Sequence, residues 1–125
     1  MNILIVDDSA RVRQMIRSTL AGLIEEVAEC SDGREALTAY ERHRPDWVLM
    51  DIKMKEIDGL IATAQIKASH PEARVIIVTN FDDEALRDDA ATAGACAYVI
   101  KDNLLALRDI IGEGHSTSKI RRNIL

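Results

Sequence analysis

A chain of 125 residues is long enough for one domain with a single packed core, and with 47% hydrophobic but only 3% aromatic residues that core is expected to be aliphatic. The net charge of −5 argues against direct nucleic-acid binding, which needs basic surface to displace counterions from phosphates. No apolar run approaches a membrane span, and "MNILIVDD" lacks a signal peptide's basic start and long apolar centre, so a cytoplasmic protein is expected.

In chain order, "ILIV" (3–6) reads as a buried parallel strand and runs into Asp7, Asp8 and Ser9. Val12, Ile16, Leu20 and Leu23 make one face of a first helix. "EVAEC" (26–30) alternates more than the other strands and belongs at or near an edge. Ala36, Leu37 and Tyr40 mark a second helix, and Pro45 closes it before "WVLM" (47–50), a strand that ends on Asp51. Ile57, Ile61, Ala64 and Ala68 mark the apolar face of a third helix, followed by Pro71 and the strand "VIIV" (75–78), which ends on Thr79. The fourth helix, "DDEALRDDAATAGA", has Leu86 as its only large apolar anchor, so it should be weakly held and is a candidate moving part.

"CAYVI" (96–100) is the fifth strand and is followed by Lys101; Leu104, Leu107 and Ile111 mark the fifth helix. Gly33, Gly59 and Gly94 fall at element boundaries. Cys30 and Cys96 are too few for a disulfide framework, show no metal-ligand spacing and read as small buried hydrophobes. Lys119, Arg121 and Arg122 form the only basic cluster, in a polar tail read as a solvated, frayed end. Strict alternation of strand and helix with short connections predicts an α/β fold, a doubly wound parallel sheet with helices on both faces. Ligands of such sheets bind at the carboxyl ends of the strands.

Asp7, Asp8, Asp51, Thr79 and Lys101 all fall at those ends. Singly, each has an ordinary reading: Asp7-Asp8-Ser9 could cap a helix, Asp51 could open a turn, Thr79 could bond the backbone, and Lys101 could be a solvated charge. Together they place three carboxylates, a hydroxyl and an ammonium on one sheet edge. Converging carboxylates raise one another's pKa unless a cation relieves them, and an all-oxygen set suits Mg²⁺.

These stretches, "ILIVDDS", "PDWVLMDIKM…DGL", "VIIVTN" and "GACAYVIKD", resemble the receiver domain of two-component response regulators, the CheY-like superfamily. The resemblance covers residues 1–112 and leaves 113–125 as a polar and basic C-terminal tail. It implies a flavodoxin-like fold, five strands in the order 2-1-3-4-5 with five helices. It further implies that Asp51 is the phosphoacceptor and takes a phosphoryl group from the phosphohistidine of a sensor kinase or phosphotransfer protein. By the same resemblance, Asp8, Asp51 and the backbone carbonyl of Lys53 ligate Mg²⁺, with Asp7 acting largely through a metal-bound water. Lys101 would pair with the phosphoryl oxygens. Thr79 would move to meet one of them, and Tyr98 would turn into the space that Thr79 leaves. The surface of the fourth helix, fifth strand and fifth helix would then change towards a downstream effector protein. Receivers often pair through that face, so a homodimer on phosphorylation stays open.

Lys53 and Phe81 stand at variable positions flanking the phosphoryl group and are expected to tune its lifetime. Lys55 stands where many receivers have proline, and Asp102 follows Lys101 where many have a cis-proline, so a trans bond is expected there. The "KD" ending is common in receivers joined to a LuxR/NarL-type helix-turn-helix. That leaves two versions: a stand-alone receiver that binds only proteins and ions, or the receiver portion of a longer DNA-binding transcriptional regulator. A flavodoxin-like ligand module is disfavoured because "DDSAR" puts two acids where a phosphate ester would sit. An interaction-only pseudo-receiver is disfavoured because both Asp51 and Lys101 are present.

Overall fold

A computed structural model describes residues 1–113 together with Ile124 and Leu125. Its elements alternate without exception: β1 (Asn2–Val6), α1 (Ala10–Thr19), β2 (Glu26–Cys30), α2 (Ala36–His43), β3 (Trp47–Met50), α3 (Gly59–Ser69), β4 (Val75–Thr79), α4 (Glu84–Ala93), β5 (Ala97–Ile100) and α5 (Leu105–Glu113). Short 3₁₀ turns at Gly33–Glu35 and Lys101–Asn103 lead into α2 and α5. The sheet order is β2-β1-β3-β4-β5 and every pairing within it is parallel, as expected, with β2 on an edge.

Successive strand residues point to opposite faces, so a sheet covered on both sides needs unbroken apolar runs. Ile3, Ile5, Leu49, Ile76 and Val99 face α1 and α5 and join Ile16, Leu107 and Ile110 in one core. Leu4, Val6, Met50, Ile77 and Tyr98 face α2, α3 and α4 in the other. At about 1.5–3 kcal/mol for each fully buried aliphatic side chain, these strands are the most firmly held part of the molecule.

The third helix corrects the sequence reading. Its buried residues are Gly59, Ala62, Thr63 and Ile66, whereas Ile61, Ala64 and Ala68 are exposed and Ile57 lies before the helix, half-buried. The cause lies in Gly59, whose backbone is packed so closely on the Asp51 carbonyl that a Cβ there would collide with it. That contact fixes the rotation of α3 and sends positions 59, 62, 63 and 66 to the sheet. Leu23 also departs from expectation: α1 ends at Thr19, and Leu23 packs on the core from the turn that follows. Cys30 is buried as expected; Cys96 is only half-buried and precedes β5.

In α4 only Ala90 is fully buried, and Leu86 is half-buried, in keeping with a weakly anchored helix. The Lys101–Asp102 bond is trans. Lys119, Arg121 and Arg122 lie outside the described residues. Beyond them Ile124 makes an antiparallel bridge with Ala97, and the Leu125 N–H donates to the Cys96 carbonyl at 3.0 Å. These two residues are therefore paired with the open edge of β5, unlike the frayed end expected of the tail.

Candidate functional site

β1, β3 and β5 run in the same direction, so the residues that follow them gather at one edge. The Ser9 hydroxyl caps α1 by accepting from the Val12 N–H (3.2 Å), and the two preceding acids are left to face the sheet edge. Asp7 is buried and Asp8 exposed, as adjacent residues leaving a strand must be. One Asp7 oxygen accepts from the Ser9 N–H at 2.9 Å. The other meets the Lys101 ammonium at 2.9 Å, and the same ammonium lies 3.4 Å from Asp51.

Asp51 is only 6% exposed. Its N–H continues the ladder to the Val6 carbonyl (2.9 Å), and its Oδ1 accepts from the Ile52 N–H (2.9 Å). Burial, and next the Asp7 carboxylate, push the Asp51 carboxyl up to about 6 against the pull of Lys101. For Lys101 burial acts downward, but the carboxylates of Asp7 and Asp51 outweigh it and hold the ammonium above its ordinary pKa.

Asp7, Asp8 and Asp51 each bring a carboxylate oxygen to within 4.8 Å of the others. Lys101 is the cation paired with this group among the described residues. Three carboxylates converge here on one paired ammonium among the described residues. A hard divalent ion with oxygen ligands would supply further positive charge, so the donor set fits Mg²⁺.

Thr79 and Tyr98 are fully buried, and both are tied to one residue of the β4–α4 loop, Phe81. The Thr79 hydroxyl accepts from the Phe81 N–H at 3.3 Å, and the Tyr98 hydroxyl donates to the Phe81 carbonyl at 2.6 Å. The Tyr98 ring has the Arg87 guanidinium 4.5 Å from its centroid. Lys53 and Phe81 also meet: the Lys53 ammonium lies 5.8 Å from the centre of the half-exposed Phe81 ring, beside the carboxylate cluster's loops.

Two contributors escaped the sequence reading. Arg13, on the first turn of α1, donates to the Asp7 carbonyl at 2.6 Å and to Glu29 at 2.7 Å, which fixes the turn that presents the acids. Nothing in its spacing announces that reach. Asp32 accepts from the N–H groups of Glu56 (2.9 Å) and Ile57 (3.2 Å) in the β3–α3 loop. Its signal was the Asp-Gly pair opening a helix, which marked Gly33 only as a boundary.

The profile of the family described as "Response regulator receiver domain" matches residues 3–111. The chain is 41% identical over 100 residues to the chemotaxis protein CheY of Bacillus subtilis (strain 168), covering 79% of this chain and 83% of that protein. A crystal structure of a LuxR-family DNA-binding response regulator from Staphylococcus aureus superposes with a TM-score of 0.80 at 30% identity, covering 90% of this chain and 96% of that one. The CheX–CheY–BeF3–Mg+2 complex from Borrelia burgdorferi superposes with a TM-score of 0.74 at 30% identity, covering 92% and 90%. With the family profile matched over residues 3–111 and the sheet in the order β2-β1-β3-β4-β5, the chain belongs to the response regulator receiver domains of two-component systems.

Proposed function

We propose that Asp51 accepts a phosphoryl group from a phosphohistidine of a sensor kinase or phosphotransfer protein, and that the modified domain signals to an effector protein through α4, β5 and α5. The observation that carries this reading is the carboxylate of Asp51, buried at the end of a strand with no exposed position, with Asp7, Asp8 and Lys101 around it. An Asp51 oxygen forms the new bond to phosphorus as the P–N bond to the donor breaks, and the electron pair of that bond stays on the imidazole nitrogen. Asp8, Asp51 and the Lys53 carbonyl would hold Mg²⁺, with Asp7 at one remove through water. When bound, the ion supplies charge neutralisation for the transferring phosphoryl group.

Lys101 stabilises the incoming oxygens from its place between Asp7 and Asp51. Thr79 then leaves the Phe81 N–H to meet a phosphoryl oxygen, and the backbone of Phe81, whose carbonyl holds the Tyr98 hydroxyl, carries that change to Tyr98. The domain catalyses only its own phosphorylation and dephosphorylation. A cytoplasmic location follows from such a donor, and among the described residues no helix is long and apolar enough to cross a membrane.

Lys53 and Phe81, whose ammonium and ring lie 5.8 Å apart, set the lifetime of the acyl phosphate. Dephosphorylation followed by intact mass should change rate in Lys53→Asn or Phe81→Ala, and equal rates in both would remove them from that role.

The test of the whole reading is intact mass after incubation with acetyl phosphate and Mg²⁺. Wild type should gain a single phosphoryl adduct that is lost in Asp51→Asn and in the absence of Mg²⁺. An adduct retained by Asp51→Asn would overturn the assignment. A second reading, the receiver portion of a longer DNA-binding regulator, draws on the likeness to the Staphylococcus aureus LuxR-family protein and is decided by reading the gene beyond residue 125.

A further inference from the structure

The loop between Asp51 and α3 carries the Lys53 carbonyl assigned to the metal, yet its far half is held by residues from another part of the chain. Asp32 ends the turn after β2, and its carboxylate accepts from three backbone N–H groups: Arg34 (2.9 Å), Glu56 (2.9 Å) and Ile57 (3.2 Å). The first of these caps its own 3₁₀ turn; the other two belong to the β3–α3 loop. The next residue makes the approach possible. A Cβ on Gly33 would stand 2.5 Å from the Ile57 carbonyl and 3.3 Å from that of Asp58, so a larger side chain would push the two loops apart. Arg34 adds an ion pair to Glu56 at 2.9 Å, but both side chains are more than half exposed and the pair contributes little.

The other end of the loop is fixed on the site itself, where the Gly59 N–H donates to the Ile52 carbonyl at 2.8 Å. Between these two anchorages lie Lys53, Met54 and Lys55. The backbone there can aim a carbonyl only if both ends are held.

We propose that Asp32 is a positioning residue for the metal: without touching the ion, it fixes the β3–α3 loop that carries the Lys53 carbonyl. This rests on the assignment of Asp51 and Mg²⁺ above. Residues that orient metal ligands typically alter affinity about 10–100-fold when removed. Asp32 acts through a peptide segment, so the low end of that range applies.

The experiment is calorimetric titration of Mg²⁺ into wild type, Asp32→Ala, Asp32→Asn and Arg34→Ala, with amide exchange at Glu56 and Ile57 and thermal unfolding on the same metal-free samples. Asp32→Ala should weaken Mg²⁺ about tenfold and speed exchange at both amides. Asp32→Asn keeps one acceptor oxygen and should fall between, while Arg34→Ala should match wild type. Wild type that binds Mg²⁺ and forms the Asp51 adduct, alongside Asp32→Ala with unchanged affinity, overturns this inference alone. Weakened affinity that merely tracks a lost thermal midpoint, with Asp32→Asn no better than Asp32→Ala, also overturns it. A wild type that neither binds Mg²⁺ nor takes up phosphoryl overturns the functional reading and this inference with it.

Discussion

Asp51 is held where a carboxylate is uncomfortable. It is buried, its neighbour Asp7 carries the same charge, and among the described residues one lysine, Lys101, serves both. Its pKa rises from 3.8 to about 6, so the fold disfavours the ionised form. The unfolded chain ionises this group first, and the metal-free protein therefore loses stability as pH rises from about 4 through 6. Asparagine has no charge to lose. In EDTA at pH 7.5, Asp51→Asn should be more stable than wild type by about 1–3 kcal/mol, with the gap closing towards pH 4. Thermal unfolding at the two pH values measures it, and a variant less stable at pH 7.5 would mean that Lys101 needs Asp51 more than Asp7 repels it. The acids were legible in the sequence because each ends an apolar run. Which of Asp7 and Asp8 is buried was not, because that depends on the rotation of the chain as it leaves β1. Asp32 was illegible for another reason: its partners are backbone groups, and backbone groups leave no mark on a sequence.

Among the elements, α4 stands apart. Its helix is properly capped, with the Asp83 carboxylate accepting from the Leu86 N–H at 2.9 Å and Gly94 closing the other end, but Ala90 is its one fully buried residue. A cap stabilises by about 1 kcal/mol, whereas each large buried side chain adds about 1.5–3 kcal/mol. Local structure is therefore favoured while attachment to the sheet is slight. Amide exchange across 84–93 should be faster than across β1, β3 and β4, through an opening that leaves those strands closed. Exchange as slow as in the strands would remove α4 as the moving part. The weak anchorage was readable from the Ala and acid content of the segment. The face of α3 was not: its residues include enough apolar side chains for more than one stripe, and a periodicity argument chose the one containing Ile61. A backbone contact at Gly59 decided otherwise, and only the assembled sheet supplies it.

At the scale of the molecule, the two-sided core explains how much of the architecture could be read. A parallel strand covered on both faces must be apolar at every position, so β1, β3 and β4 announced themselves as unbroken runs. The edge strand β2 was recognisable by the opposite sign, an apolar run interrupted by Glu26 and Glu29, which solvent reaches. The return of Ile124 and Leu125 to the edge of β5 had no such sign, since a bridge of this kind uses main-chain groups that any residue offers. One further property follows from the pairing of Asp7 with Lys101, which come from the first strand and the last. During synthesis the acids leave the ribosome early and the lysine late. Until β5 has been made and has closed on β4, Lys101 cannot reach Asp7 and Asp51, and β4 has an unfinished flank. Residues so far apart meet only after the slow, long-range pairings are complete. On the proposed function, a truncated chain that stops before Lys101 should take up less phosphoryl group from acetyl phosphate than the full chain, so that competence for signalling arrives only with the last strand of the sheet.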